Sequence, residues 1–237
     1  MSRTSSVLVI SHDVVGAKMA GPGIRYLELA RVLAQHFRVD LAVPGDSSLD
    51  SRDGVRLRSY EVGRWDSLVP AVEGAKAVLL CGDVLARFPE LREADVPIIV
   101  DGYDPHTLET LALFAGTAEQ EQRHLERERI LEMQCQAGDF FICASERQRD
   151  WWLGLLEAAG RVNVRTYGED PSLRSLIDVV PFGLPSSPPQ HTMQVLKGVR
   201  PGIGVDDKVV LWGGGLWEWL DPLTAVRAMA LIREQRD

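Results

Sequence analysis

The polar residues best placed to do chemistry stand in short clusters, each directly after an apolar run. VDGYDPH, from Val100 to His106, begins on the last residue of the apolar run PIIV. Its two carboxylates, tyrosine and imidazole could exchange protons or hydrogen-bond to sugar hydroxyls. Asp101 and His106 are the catalytic candidates and Tyr103 a binding candidate, while Asp104, ahead of Pro105, serves a helix start. A second cluster, Ser11 to Gly23, carries Gly16, Gly21 and Gly23 with Lys18 and then Arg25. Gly21 and Gly23 let a ligand approach the first turn of a helix, where free N–H groups favour an anion, and Lys18 and Arg25 add positive charge. The purely structural alternative is a tight loop that needs glycine for its turn.

CASERQRDWW supplies Ser145 and Glu146 as further binding candidates; a capped helix with Trp151 and Trp152 in the core is the structural alternative. LWGGGLWEW places Gly213, Gly214 and Gly215 after an apolar run, where they could cradle a phosphate or form a flexible loop, with Trp217 and Trp219 stacking on a base or packing. Two familiar fingerprints are missing. No GxGxxG follows Ile10, and no Lys-Ser/Thr follows the triple glycine, so neither a nicotinamide cofactor nor a Walker-type site is expected. Cys81, Cys135 and Cys143 form no CxxC and have no histidine at zinc-ligand spacing; they read as buried thiols, and no metal is expected.

These clusters need elements to hold them. Val7–Ile10, Arg38–Val43, Val55–Val62, Ala77–Cys81, Pro97–Val100, Phe140–Cys143 and Ile177–Val180 read as strands. Between the first two, Leu27, Ala30, Ala34 and Phe37 mark the buried face of a helix opened by Pro22, with Arg25, Glu28, Arg31 and Gln35 on the wet face. The longest helix spans Glu119–Gln136. Strands alternating with helices imply an α/β, doubly wound Rossmann-like parallel sheet, placed at residues 1–183. Residues 184–206 hold four of the 13 prolines and read as a linker. Residues 207–237 then restart the pattern: strand Lys208–Trp212, the glycine loop, and helix Asp221–Arg236, capped by Asp221 and opened by Pro222.

The 237 residues carry 26 Lys and Arg against 34 Asp and Glu, a net charge of −8. That balance argues against broad nucleic-acid binding. The 45% hydrophobic content is ordinary for a globular protein. No stretch approaches the roughly 20 apolar residues of a membrane span, and no signal peptide is evident. A cytoplasmic location is expected, with peripheral attachment at the inner membrane face left open.

Taken in order, GPGIRYLELARVL, VDGYDP, DFFICASERQRDWWLG, VVPFGLP and LWGGGLWEWLDPLTAVRAMA resemble family 4 glycosyltransferases of the two-lobed GT-B fold. The resemblance implies transfer of a sugar from a nucleotide diphosphate sugar, as co-substrate, to an acceptor glycan or small molecule with retention of configuration. It also implies that the first lobe binds acceptor, that Gly21 and Gly23 approach the donor diphosphate, that Gly213–Gly215 match the first glycine loop of the donor lobe, and that Asp101 or His106 lies near the reacting sugar. The family's basic residue, lysine and Glu-x7-Glu segment have no counterpart before Asp237, and its usual Gly-Arg is replaced by GGGLWEW. The chain thus reads as an acceptor lobe plus the first unit of a truncated donor domain, expected to be inactive alone. Alternatives are one half of a split enzyme, completed by a partner chain, or a non-catalytic binding or assembly module. A nucleotide-sugar epimerase would need the cofactor fingerprint that is missing.

Overall fold

Alternate residues of the central strands lie in two different buried clusters. Leu8 and Ile10, then Val78 and Leu80, belong to one; Val9, then Leu79 and Cys81, belong to the other. Side chains alternate across a strand, so both faces of the sheet are covered. The structure, a computed structural model, describes residues 6–45, 53–185, 187–216 and 220–235. Its strands are β1 (Ser6–Ile10), β2 (Arg38–Pro44), β3 (Val55–Tyr60), β4 (Ala77–Leu80), β5 (Ile98–Asp101), β6 (Phe140–Cys143) and β7 (Ile177–Val179). They form one seven-stranded sheet in the order β3-β2-β1-β4-β5-β6-β7. Every pairing is parallel. This is the doubly wound Rossmann-like arrangement expected, with a topological switch between β1 and β4.

Helix α1 (Gly21–Leu33) crosses one face, burying Tyr26, Leu27 and Ala30. Its Pro22 lies in the first turn as expected. The other face is covered by α2 (Val69–Val72), α3 (Val84–Arg87), α5 (Gln120–Ala137) and α6 (Glu146–Ala158), which contribute Ala71, Leu85, Cys135, Trp152 and Leu156. Helices α4 (His106–Leu113) and α7 (Val164–Glu169) complete this part of the chain. Two side chains depart from the amphipathic reading of α1. Phe37, expected inside, is 38% exposed beyond the helix end. Arg25, expected on the wet face, is buried; the partner that permits this is described below. Of the tryptophan pair, Trp152 is buried but Trp151 is 40% exposed.

The later segment differs more. Lys208–Trp212 is not a strand: it pairs with no described strand, and Val210 and Leu211 are each 72% exposed. An apolar β-branched run becomes a strand only where a sheet edge accepts its backbone, and β3 and β7 take no such partner here. Helix α8 (Pro222–Glu234) forms with the expected cap, the Asp221 carboxylate accepting from the Thr224 N–H at 3.2 Å. None of its residues is buried, and Leu223 and Val226 lie exposed. Trp217 and Trp219 fall outside the described residues.

The edge strand β3 is held to β2 by charge. Asp40, opposite Arg56 in the register, accepts both arms of its fork at 2.6 Å and the Arg58 Nε–H at 2.7 Å. Burial pushes the Asp40 carboxyl up, but the hydrogen bonds from Arg56 and Arg58 prevail and hold it below its ordinary 3.8. A depressed pKa contributes stability that is present above the unfolded value and lost as pH falls through the folded one. Acidification from pH 5 to 3 is therefore expected to lower the urea midpoint more in the parent than in Asp40→Asn. Equal losses would show that the pair contributes nothing.

Candidate functional site

Arg25 organises the carboxyl edge of the sheet. Its Nε–H and Nη2 donate to the two oxygens of Asp101 at 2.7 and 2.9 Å, and Nη2 also reaches the Val180 carbonyl at 3.0 Å. The guanidinium lies 5.1 Å from the Tyr103 ring centre and 4.8 Å from that of Phe182, within cation–π range. Both partners of the ion pair are almost fully buried. Burial pushes the Asp101 carboxyl up, and the Arg25 fork pulls it back. Asp101 and Arg25 are thus brought together, but with each other: a carboxylate occupied on both oxygens has no free edge to offer a substrate. Tyr103, the third member, roofs the pair with its ring, and its hydroxyl is buried without a hydrogen-bond partner among the described residues.

The two residues after Asp101 are held as firmly. The Gly102 carbonyl accepts from the Trp152 indole N–H at 2.8 Å, and the Tyr103 carbonyl accepts from Gln148 Nε2 at 2.9 Å. Both donors stand on α6. Its start is fixed by Ser145, whose hydroxyl accepts from the Gln148 N–H at 3.2 Å, and by the Gln148 side-chain carbonyl on Ala144 N–H at 2.7 Å. Ser145 is therefore a cap, and Glu146 pairs with Arg174 at 2.8 Å on the surface. Neither faces the cavity described next.

Beyond these fixed residues the chain enters a cavity of about 200 Å³ lined by His12, Cys81, Gly82, Asp83, Asp104, His106 and Arg127. It lies at the carboxyl ends of β1, β4 and β5, in the crevice where the strand order reverses, the place where open α/β sheets bind ligands. A larger open hollow, about 460 Å³ and lined by Asp95, Val96, Pro97 and Asp139 among others, sits at the opposite ends of β5 and β6. Position relative to the strands, not volume, selects the smaller one.

His106 stands against Gly82. Any Cβ at residue 82 would come within 3.0 Å of His106 Nε2, and Gly82 has φ +41°, so this position needs glycine twice over. His106 Nδ1 is 3.4 Å from the Asp104 carboxylate. Asp104 does not cap α4, contrary to expectation. The helix begins after Pro105 without a side-chain cap, because the carboxylate is turned toward His106 and Glu109 instead. Burial pushes both the Asp104 and the Glu109 carboxyls up; the hydrogen bond between them pulls Asp104 back, while the charge of Asp104 and that same hydrogen bond push Glu109 further up. Arg127 from α5 is hydrogen-bonded to Asp83.

His12 is the residue that motif reading missed. It follows β1 in SHD, a position that invites attention only once β1 and β4 are known to flank the switch. Its Nδ1 lies 3.0 Å from Cys81 Sγ. Burial pushes the Cys81 thiol far up, so this sulfur anchors the ring and is not a nucleophile. Burial also lowers the pKa of both His12 and His106, against the pull of Asp83, which favours two neutral imidazoles at pH 7.

The residues expected of an anion loop do not line this cavity. A Cβ at Gly23 would lie 2.4 Å from the Val14 carbonyl, so this glycine answers loop packing on α1. Gly21 and Lys18 are exposed, and Arg25 is spent on Asp101. Gly213 and Gly214 are exposed and Gly215 half-buried, with the Gly215 carbonyl accepting from the Trp212 indole at 2.9 Å.

No family model matches the chain, and no curated protein matches its sequence. Among solved structures, sucrose-phosphate synthase from Thermosynechococcus elongatus is 13% identical with a TM-score of 0.49, over 76% of this chain and 48% of that one. Medicago truncatula UGT71G1, complexed with UDP-glucose, is 11% identical with a TM-score of 0.42, over 76% and 51%. A protein of Burkholderia cenocepacia J2315 described as a putative epimerase is 11% identical with a TM-score of 0.36, over 60% and 54%. The chain spans about half the length of each of these proteins. Likeness this distant assigns no activity. Among the described residues, no helix is long and apolar enough to cross a membrane.

Removing one partner of a buried, hydrogen-bonded ion pair leaves an unpaired charge or polar group and typically costs about 3–5 kcal/mol. Arg25→Met and Asp101→Asn are each expected to lower stability by about that amount in urea titrations. The double variant Arg25→Met/Asp101→Leu is expected to lose much less than the sum. Additive losses would mean that the pair is not what holds this edge.

Proposed function

We propose that this chain is the acceptor-binding lobe of a glycosyltransferase, and that the β1/β4 cavity receives the hydroxyl groups of a sugar or other polyol acceptor. The observation that carries this reading is the cavity lining. Two half-buried imidazoles, two carboxylates and one guanidinium converge at the switch point, and such groups match hydroxyls that both donate and accept hydrogen bonds. The sheet order and the in-order sequence resemblance to family 4 glycosyltransferases support the same reading. Under it, His106 is the residue nearest the reacting hydroxyl. Asp101 is a positioning residue acting through Arg25 and the pinned 101–103 backbone. The donor is a nucleotide diphosphate sugar held largely by groups outside this lobe, and transfer proceeds with retention.

A neutral imidazole held by a carboxylate can accept the acceptor's hydroxyl proton as the new glycosidic bond forms. For configuration to be retained, the oxygen attacks the sugar carbon on the face from which the diphosphate departs: its proton passes to a ring nitrogen of His106, and the diphosphate carries away the electron pair of the broken bond.

Saturation-transfer NMR tests the binding step on the chain as it stands, with methyl glucosides and mannosides as acceptor probes and EDTA present throughout. At least one glycoside is expected to take up saturation. His106→Ala is expected to weaken its apparent affinity about tenfold, the order of a lost hydrogen bond in a desolvated site. Gly82→Ala, which pushes the ring aside without removing it, should act in the same direction. Absence of saturation with every glycoside, or an unchanged affinity in His106→Ala, would overturn the reading.

A further inference from the structure

At the wall of the same cavity, Asp104, His106 and Glu109 each offer one ligand atom, and these atoms all lie within 4.8 Å of one another. The fold brings them together by two devices. His106 and Glu109 stand three residues apart on α4, and so share one helical face. Asp104 comes from the loop before the helix, with its approach fixed by the bonds on Gly102 and Tyr103. A cation bound at roughly 2.0–2.2 Å from nitrogen and oxygen donors needs those donors about 3–4 Å apart; His106 Nδ1 and an Asp104 oxygen are 3.4 Å apart, and the three ligand atoms all lie within 4.8 Å. All three residues are half-buried, so the site is accessible yet partly shielded.

Opposing forces are present. Arg127 places a guanidinium nearby, although it is bound to Asp83. The N-terminus of α4 also repels a cation. Asp104 and Glu109 share a hydrogen bond, and a cation that displaces its proton meets two negative charges that offset these terms.

We propose that Asp104, His106 and Glu109 bind one divalent transition-metal cation, Zn2+ in preference to Mn2+, with its remaining coordination positions open to water or to a ligand in the cavity. One imidazole nitrogen with two carboxylate oxygens is a borderline donor set that suits these ions better than Mg2+ or Ca2+. Three protein ligands leave the open position typical of a site that also meets a ligand. Sequence reading expected no metal because it looked for cysteine and histidine pairs, and this set is a D-x-H-x-x-E pattern whose members meet only when the loop folds back on the helix. The inference goes beyond the sugar reading and does not depend on it.

The chain, stripped with EDTA and dialysed, is titrated with Zn2+ and with Mn2+ by calorimetry, in the absence of any sugar. One equivalent of Zn2+ is expected to bind, and more tightly than Mn2+. Glu109→Gln and Asp104→Asn are each expected to weaken Zn2+ at least tenfold, with circular dichroism confirming that they fold; if Asp104→Asn does not fold, Glu109→Gln decides. His124→Ala removes another histidine–carboxylate pair, His124 with Glu128 at 3.3 Å on α5, and is expected to leave binding unchanged. No stoichiometric binding, an unchanged affinity in Glu109→Gln, or loss of binding in His124→Ala would overturn the proposal. Because the sugar experiment is run with EDTA, either result can fail while the other stands.

Discussion

A single buried ion pair sets the shape of the carboxyl edge of this sheet. Arg25 enters from α1, Asp101 ends β5, the Val180 carbonyl follows β7, and the Tyr103 and Phe182 rings close over the guanidinium. Segments far apart in sequence therefore meet on one planar cation. Arginine suits this place because its fork satisfies both carboxylate oxygens and still has a donor left for a carbonyl. Lysine would leave at least one of those acceptors short. The desolvation cost of the two charges is large, so the pair is better understood as a device for specifying geometry than as a net source of stability.

That geometry is passed to the cavity through the backbone. Three consecutive residues are each held by a different side chain: Asp101 by Arg25, Gly102 by Trp152 and Tyr103 by Gln148. The next residues, Asp104 to His106, project from this fixed stretch into the cavity. A polar site needs its groups held to within a fraction of an ångström, and loops seldom provide that unaided. Here the loop is short and its root is bonded to α1 and α6. Gly82 supplies the opposing wall, and its missing side chain is what lets the His106 ring sit close.

The architecture was legible from the sequence because it rests on local signals. Each strand is a short apolar run, and β6 begins and ends where the pattern of Phe140–Cys143 places it. Ser145 and Asp221 act as caps because capping depends on a few neighbouring atoms. The site was less legible because its logic is long-range. Arg25 falls on the polar stripe of α1, and only the presence of Asp101, 76 residues on, explains why it is buried. His12 and Arg127 carry no motif and become informative only when the sheet order brings them beside His106. Lys208–Trp212 fails for the reverse reason: its composition suits a strand, but a strand also requires a neighbour, and composition does not report one.

The charges around the cavity bear on which half of a transfer reaction this lobe would serve. Burial holds both imidazoles toward the neutral form, Asp83 pairs with the guanidinium of Arg127, and Asp104 shares a hydrogen bond with Glu109. Such a lining offers a diphosphate no unpaired cation and accommodates neutral hydroxyls. The groups expected to attract an anion are engaged or remote: Arg25 is neutralised by Asp101, Gly23 is packed on Val14, and Lys18 lies exposed on the loop before α1. Under the proposed reading, recognition by this lobe falls on the acceptor, and the negative charge of a nucleotide donor must be met by residues elsewhere. A cation held by Asp104, His106 and Glu109 would offset the local carboxylates and extend the same cavity toward more polar ligands, which ties the two proposals to one physical variable, the net charge at the end of β5.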